Sequence, residues 1–244
     1  MYVKDHMTKN PVTVTPETSV SKALELMSKG KFHRLPVVDN SGRLQGLITE
    51  GVVTEQSGKN NTSLSIYELN YLLSRTKVKD IMITDVVTIT EDPFVEEAAE
   101  KMLENGISVL PVVDAENKVI GIITEKDIFA TFVDLLGLKK QGTKFVIRME
   151  DKPGLLAKAA RLLADNDANV EALGVYHNTD NERPAEFFVK ATGEIAVEKM
   201  TKILKENGLD VGFAFDGDAD RCIAVDHEGR TRALCRRHST AASR

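Results

Sequence analysis

One offset governs the first half of the chain: residues recur 75 positions later without a gap. Val3-Lys4-Asp5 returns as Val78-Lys79-Asp80, Leu35-Pro36-Val37-Val38-Asp39 as Leu110-Pro111-Val112-Val113-Asp114, and Gly46-Leu47-Ile48-Thr49-Glu50 as Gly121-Ile122-Ile123-Thr124-Glu125. A tandem repeat restricts the fold to two like units related by a pseudo-twofold axis. In each copy the pattern predicts a short strand (12–15; 87–90) and then a helix with apolar residues at 20, 23, 24 and 27 (95, 98, 99 and 102). A strand at 36–38, a Gly-containing turn and a strand closing at Ile48 or Ile123 follow. Short strands alternating with helices imply a small mixed sheet covered by helices, and a copy of roughly 55 residues buries too little to be comfortable alone.

Composition narrows the class. Of the 244 residues 42% are hydrophobic and 28% charged, as in a soluble globular protein, and no apolar run approaches the roughly 20 residues of a membrane span. The first residues lack the apolar core of a secretory signal, which makes a cytoplasmic location the default expectation. Both cysteines, Cys222 and Cys235, lie near the end, so disulfides cannot brace the rest. A net charge of −5 with scattered Lys and Arg argues against nucleic acid as a partner. It leaves small anions open, since one local cluster of cations suffices for them.

The stretch 121–127 is the first candidate for binding one. An apolar strand ends there and a helix begins, bringing Thr124, Asp127 and free backbone amides to one helix N-terminus. Such ends attract phosphate and ribose oxygens because first-turn N–H groups lack intrahelical acceptors. The same Thr-x-x-Asp spacing also suits a capping box that needs no ligand.

The order of these motifs, given twice, resembles a tandem pair of cystathionine-beta-synthase (CBS) domains, a Bateman module, over about residues 1–133. The resemblance implies an adenosine-containing ligand (AMP, ADP, ATP or a relative) in the cleft between copies, with the motif Asp on the ribose hydroxyls. Asp127 occupies that position, whereas the first copy has Val52, which accepts no hydroxyl. A His-Arg pair before Leu-Pro commonly holds the phosphates. The first copy has His33-Arg34 and the second Ser108-Val109. One competent and one degenerate site are expected. In the competent one Thr124 and Asp127 face ribose and phosphate, His33 and Arg34 the phosphates, and Pro11, Val12, Pro36 and Ile122 the adenine. For His33 and Arg34 the competing reading is a solvated strand edge.

The copies are expected at 1–57 and 78–136. Between them, 57–61 reads as a polar loop and Ile66, Leu69, Leu72 and Leu73 suit a helix. After a linker at 137–142 the pattern becomes βαββαβ over 143–211, with the sharp turn Asp151-Lys152-Pro153-Gly154 before the apolar stripe 155, 156, 159, 162 and 163. This resembles a ferredoxin-like ACT domain, so the fold class is α+β. By position the resemblance implies an amino acid effector at Asp151, Gly154 and Asn169; a turn that merely caps the helix is the alternative. Two CBS copies and an ACT domain together resemble the AcuB-type proteins associated with acetoin utilisation.

The stretch 212–229 is of another kind. Asp216, Asp218 and Asp220 alternate around Gly217 and can converge on a divalent cation through hard oxygens. The segment resembles the magnesium loop of alpha-D-phosphohexomutases, but the other loops such an enzyme needs are missing from the sequence. Weak Mg binding without function in this chain is expected, as from a fusion or junction, and 230–244 reads as an unstructured basic extension.

No Cys, His-x-x-x-His, P-loop or Gly-x-Ser-x-Gly appears in 1–210. The expectation is a non-enzymatic, ligand-sensing regulator, homodimeric, acting on an unidentified enzyme or transporter. A dimeric scaffold is the alternative, and a phosphosugar-enzyme fragment ranks third.

Overall fold

The computed structural model describes residues 1–60, 65–149, 152–176, 185–192, 202, 206–207, 210–215, 221–225 and 231–235. They form two units, Met1–Thr131 and Phe132–Arg244.

The first unit begins with α1 (Val3–His6) and β1 (Thr8–Lys9), followed by α2 (Val20–Gly30), β2 (Arg34–Val38), β3 (Leu44–Thr49) and α3 (Glu50–Asn60). Next come α4 (Ile66–Arg75) and a 3-10 turn at Val78–Asp80, then α5 (Val95–Asn105), β4 (Val109–Val113), β5 (Val119–Thr124) and α6 (Glu125–Leu135). The repeat is visible in the helices and in the strand pairs. Val20, Ala23 and Met27 are buried along α2, as Val95, Ala98 and Met102 are along α5. The antiparallel pairs β2·β3 and β4·β5 carry the same irregularity, at 37/38 and 112/113. The strands expected at 12–15 and 87–90 shrink to single parallel bridges, Val14 to Val37 and Ile89 to Val112.

The two copies are interlocked. Val3, fully buried, packs in the core of the second copy with Ile89, Val95, Leu110 and Ile123; Val78, fully buried, packs in that of the first with Val14, Val20, Leu35 and Ile48. β1 pairs with β5, and Ile83 bridges to Leu47 in the same way. Each copy lends its leading segment to the other, which answers the poor stability expected of one copy alone. On the pseudo-twofold itself Arg43 bridges to Lys118, one position and its own repeat partner. Gly46 and Gly121 make room for the exchange: a Cβ at Gly121 would stand 2.3 Å from Met7 Sδ, and one at Gly46 2.7 Å from both Met82 Sδ and the Ile83 carbonyl oxygen.

Between the copies, α4 starts on a capping box in which Ser65 and Glu68 exchange hydrogen bonds, and its Leu73 packs on the first core. Residues 57–60, expected in a polar loop, continue α3 instead. Once a helix is nucleated, here by the Thr49 hydroxyl accepting from the Val52 N–H, each further residue adds a hydrogen bond at little cost.

The second unit contains β6 (Thr143–Met149), α7 (Leu155–Ala164), β7 (Asn169–Tyr176), β8 (Ala185–Thr192), β9 (Asp210–Phe215), β10 (Arg221–Val225) and β11 (Thr231–Cys235). Its antiparallel sheet runs β11-β10-β9-β6-β8-β7, so the four strands β9-β6-β8-β7 have the ferredoxin-like order 4-1-3-2. Phe145, Ile147, Phe187 and Val189 face Ala159 and Leu163 of α7, with Leu155, Leu156 and Leu162 beside them. The helix expected near 195–204 falls mostly outside the described residues. Thr231–Cys235, expected in an unstructured extension, pairs as β11 with β10. Backbone pairing to an open strand edge needs no side-chain pattern, and five residues are too few to display one. Among the described residues no helix is long and apolar enough to cross a membrane.

Candidate functional site

A cavity of about 480 Å³ in the first unit is walled by both copies. Its first wall is the exchanged segment. After β1 the chain turns at Asn10, whose φ of 47° is left-handed and whose N–H donates to the Ile120 carbonyl. That turn aims Thr8, Asn10, Pro11 and Val12 at the cavity.

The second wall is the exit of α2. Lys31 ends the helix in left-handed geometry (φ 54°, ψ 39°), and the Phe32 N–H then bonds back to the Met27 carbonyl. In the second copy the same turn is made by Gly106 (φ 62°), which bears no Cβ penalty. Lys31, Phe32, His33 and Arg34 follow one another along this wall. The His33 Nδ1 lies 2.7 Å from the Glu50 carboxylate on α3, and Arg34 donates from Nη2 to the Ser108 hydroxyl of the other copy.

The third wall is the β5–α6 junction, with Ile122, Thr124, Lys126 and Asp127. Both the Thr124 N–H (2.8 Å) and its hydroxyl (2.7 Å) donate to Oδ2 of Asp127. One half of the capping box is therefore made, the Asp127 carboxylate accepting from the Thr124 N–H, and the pair engages one carboxylate oxygen only. Among the described residues Oδ1 accepts no hydrogen bond. One turn on, the buried Thr131 hydroxyl donates to the Asp127 carbonyl and meets His6 Nδ1 at 3.0 Å, tying α6 to α1. At the equivalent start of α3, Val52 replaces Asp127 and the Thr49 hydroxyl accepts from the Val52 N–H at 3.1 Å.

Seven of the eight residues named from the sequence thus line one cavity: Pro11, Val12, His33, Arg34, Ile122, Thr124 and Asp127. Pro36 does not; it is buried in β2, its carbonyl accepting from the Val14 N–H. Strand alternation puts Pro36 on the same side as Arg34, but it stands two residues further along β2, where its carbonyl is taken up by Val14 and not by the cavity. Thr8, Asn10, Lys31, Phe32 and Lys126 also line it and were not anticipated. The replacement of Gly106 by Lys31 at a helix end was the signal available for one of them. Lys31, Arg34 and Lys126 against the single carboxylate of Asp127 make the lining cationic. A second cavity, of about 440 Å³, is walled by Glu97, Glu100, Glu104 and Lys101 with Thr88, Ile89, Thr90 and Pro93. It holds none of the anticipated residues, and its carboxylates oppose an anion.

In the second unit Gly154 caps α7 at φ 89°, and Asn169 opens β7 with its amide donating to Glu171 at 2.8 Å. Lys140, at 2.6 Å, and Asn169 hold the Glu171 carboxyl below its ordinary range. Asp151 lies outside the described residues, as do Asp216, Asp218 and Asp220. Among the described residues no group of three or more His, Cys, Asp or Glu side chains could hold a metal ion.

The family model of the CBS domain matches residues 3–55 and 78–134, and that of the ACT domain 144–208. Inosine-5'-monophosphate dehydrogenase of Methanocaldococcus jannaschii is 33% identical over 224 residues, which cover 83% of this chain and 40% of that protein. The chain thus spans less than half the length of this relative. A CBS domain-containing protein of Dictyostelium discoideum is 32% identical over 134 residues, 55% of this chain and 92% of its own. Among solved structures, Arabidopsis thaliana CBSX2 in complex with AMP is 33% identical, with 55% of this chain and 96% of that chain covered and a TM-score of 0.46. With two CBS copies followed by an ACT domain, the chain belongs to the CBS domain-containing proteins.

Proposed function

We propose that the cavity between the CBS copies binds one adenosine nucleotide and that the protein is a regulator responding to it. The observation that carries this reading is the composition of the lining: cations on two walls, a carboxylate oxygen without a partner among the described residues on the third, and apolar faces between them. In this reading Asp127 Oδ1 accepts the ribose hydroxyls while Oδ2 stays with Thr124. His33, Arg34, Lys31 and Lys126 hold phosphates, Arg34 with the planar fork suited to them. Pro11, Val12, Phe32 and Ile122 enclose the base. A cationic lining favours a phosphorylated ligand over the sulfonium of S-adenosylmethionine. The pseudo-symmetric position, with Val52 for Asp127 and Ser108 for His33, is the degenerate one.

A ligand touching both copies changes their arrangement only as far as it binds one arrangement better than another. The ACT domain, through Asp151, Gly154 and Asn169, would take an amino acid or a partner. Homodimerisation, an enzyme or transporter as target, and a place in acetoin utilisation complete the proposal.

The test is titration calorimetry of the full chain with AMP, ADP, ATP and S-adenosylmethionine, repeated with Asp127→Asn. A phosphorylated nucleotide should bind, and the substitution should weaken it about 10- to 100-fold, the worth of hydrogen bonds to a charged group. Unchanged affinity in Asp127→Asn would remove Asp127 from the site. No binding of any of the four at millimolar concentration would favour the dimeric scaffold.

A further inference from the structure

We infer that Ser108 is a positioning residue of this cavity, so that the second copy, which lacks the His-Arg pair, helps build the anion subsite of the first. The inference rests on the nucleotide reading above. Arg34 crosses the copy boundary to donate from Nη2 to the Ser108 hydroxyl, which leaves its Nε–H and Nη1–H₂ donors for a ligand in the cavity it lines. Ser108 is itself fixed by the start of α6: its carbonyl accepts from the Glu125 N–H at 3.1 Å. Two residues further along, the same helix carries Asp127. The ribose carboxylate and the phosphate guanidinium are therefore referenced to one helix terminus, although they belong to different copies.

The repeat explains why a serine stands there. Position 108 is the counterpart of His33, whose carbonyl likewise accepts from the Glu50 N–H, at 3.0 Å. A histidine at 108 would set a bulky, protonatable ring against the Arg34 guanidinium, where a hydroxyl accepts its hydrogen bond. The feature that disables one site thereby serves the other. A guanidinium held in place loses less side-chain entropy when it takes up a phosphate.

The experiment compares AMP with adenosine, which lacks the phosphate, by titration calorimetry of the wild-type chain, Ser108→Ala, Ser108→Thr and Ser108→His. Ser108→Ala should lower AMP affinity about fivefold, as expected for one hydrogen bond, and leave adenosine within twofold. Ser108→Thr, which keeps the hydroxyl, should restore AMP binding, and Ser108→His should lower it at least as far as Ser108→Ala. AMP affinity unchanged in Ser108→Ala, or an equal loss for AMP and adenosine, would overturn the positioning role while leaving the nucleotide site standing. A wild-type chain that binds AMP no better than adenosine would overturn the positioning role, and one that binds none of AMP, ADP and ATP would refute the nucleotide reading and the positioning role with it.

Discussion

The exchange of leading segments between copies makes Val3→Ala a test of how the first unit is held together. Val3 is fully buried, and its neighbours Ile89, Val95, Leu110 and Ile123 are 86 or more residues away in the sequence. Losing two methyl groups removes about 1.6 kcal/mol of transfer free energy, and the cavity left behind brings the cost to about 2–3 kcal/mol. At roughly 4 °C per kcal/mol for a unit of this size, the melting temperature should fall by about 8–12 °C. The location of the damage is more telling than its size. In native-state hydrogen exchange, Val3→Ala should accelerate exchange in β4 and β5 more than in β2 and β3. Val78→Ala, equally buried but in the core of the first copy, should do the reverse. If Val3→Ala loosened β2 and β3 first, or cost less than about 0.5 kcal/mol, the interlocked arrangement would be wrong.

Lys31→Gly should raise stability by roughly 1 kcal/mol, because the left-handed helix end suits glycine, while weakening nucleotide binding through loss of a cation; thermal melts with titrations will show whether the two move in opposite directions. Gly46→Ala should destabilise by about 1–3 kcal/mol, since its Cβ meets the Ile83 carbonyl oxygen; Gly121→Ala should cost less, because only the flexible Met7 side chain must yield, and denaturant melts of the two will rank them. Lys29, then Lys22, lowers the Glu25 carboxyl to about 2, so its contribution is complete above the ordinary Glu value and is lost as pH falls toward 2. The pair is exposed and screened, so the difference in melting temperature between wild type and Glu25→Gln should be small at neutral pH and should vanish near pH 2 or in about 1 M salt.

Much of this protein was legible before any coordinates. A gapless repeat can only build a pseudo-twofold pair, and the apolar positions 20, 23 and 27 with 95, 98 and 102 fixed which helix faces are buried, because a 3.6-residue period leaves one choice. The βαββαβ pattern and the turn at Gly154 marked the ferredoxin-like unit for the same local reasons. His33, Arg34 and Asp127 could be named because their chemistry differs between otherwise matching copies, and Thr124 because it stands at the same helix start as Asp127. What the sequence could not show was which copy each segment serves. Val3 and Val78 look identical in either arrangement, and only packing decides that each completes the other's core. That exchange aims Thr8 and Asn10 at the cavity, and the pairing of the copies sets Arg34 on Ser108. Local pattern is written in neighbouring residues, whereas these contacts link positions about 30 to 120 apart, whose meeting depends on the free energy of burying both cores together.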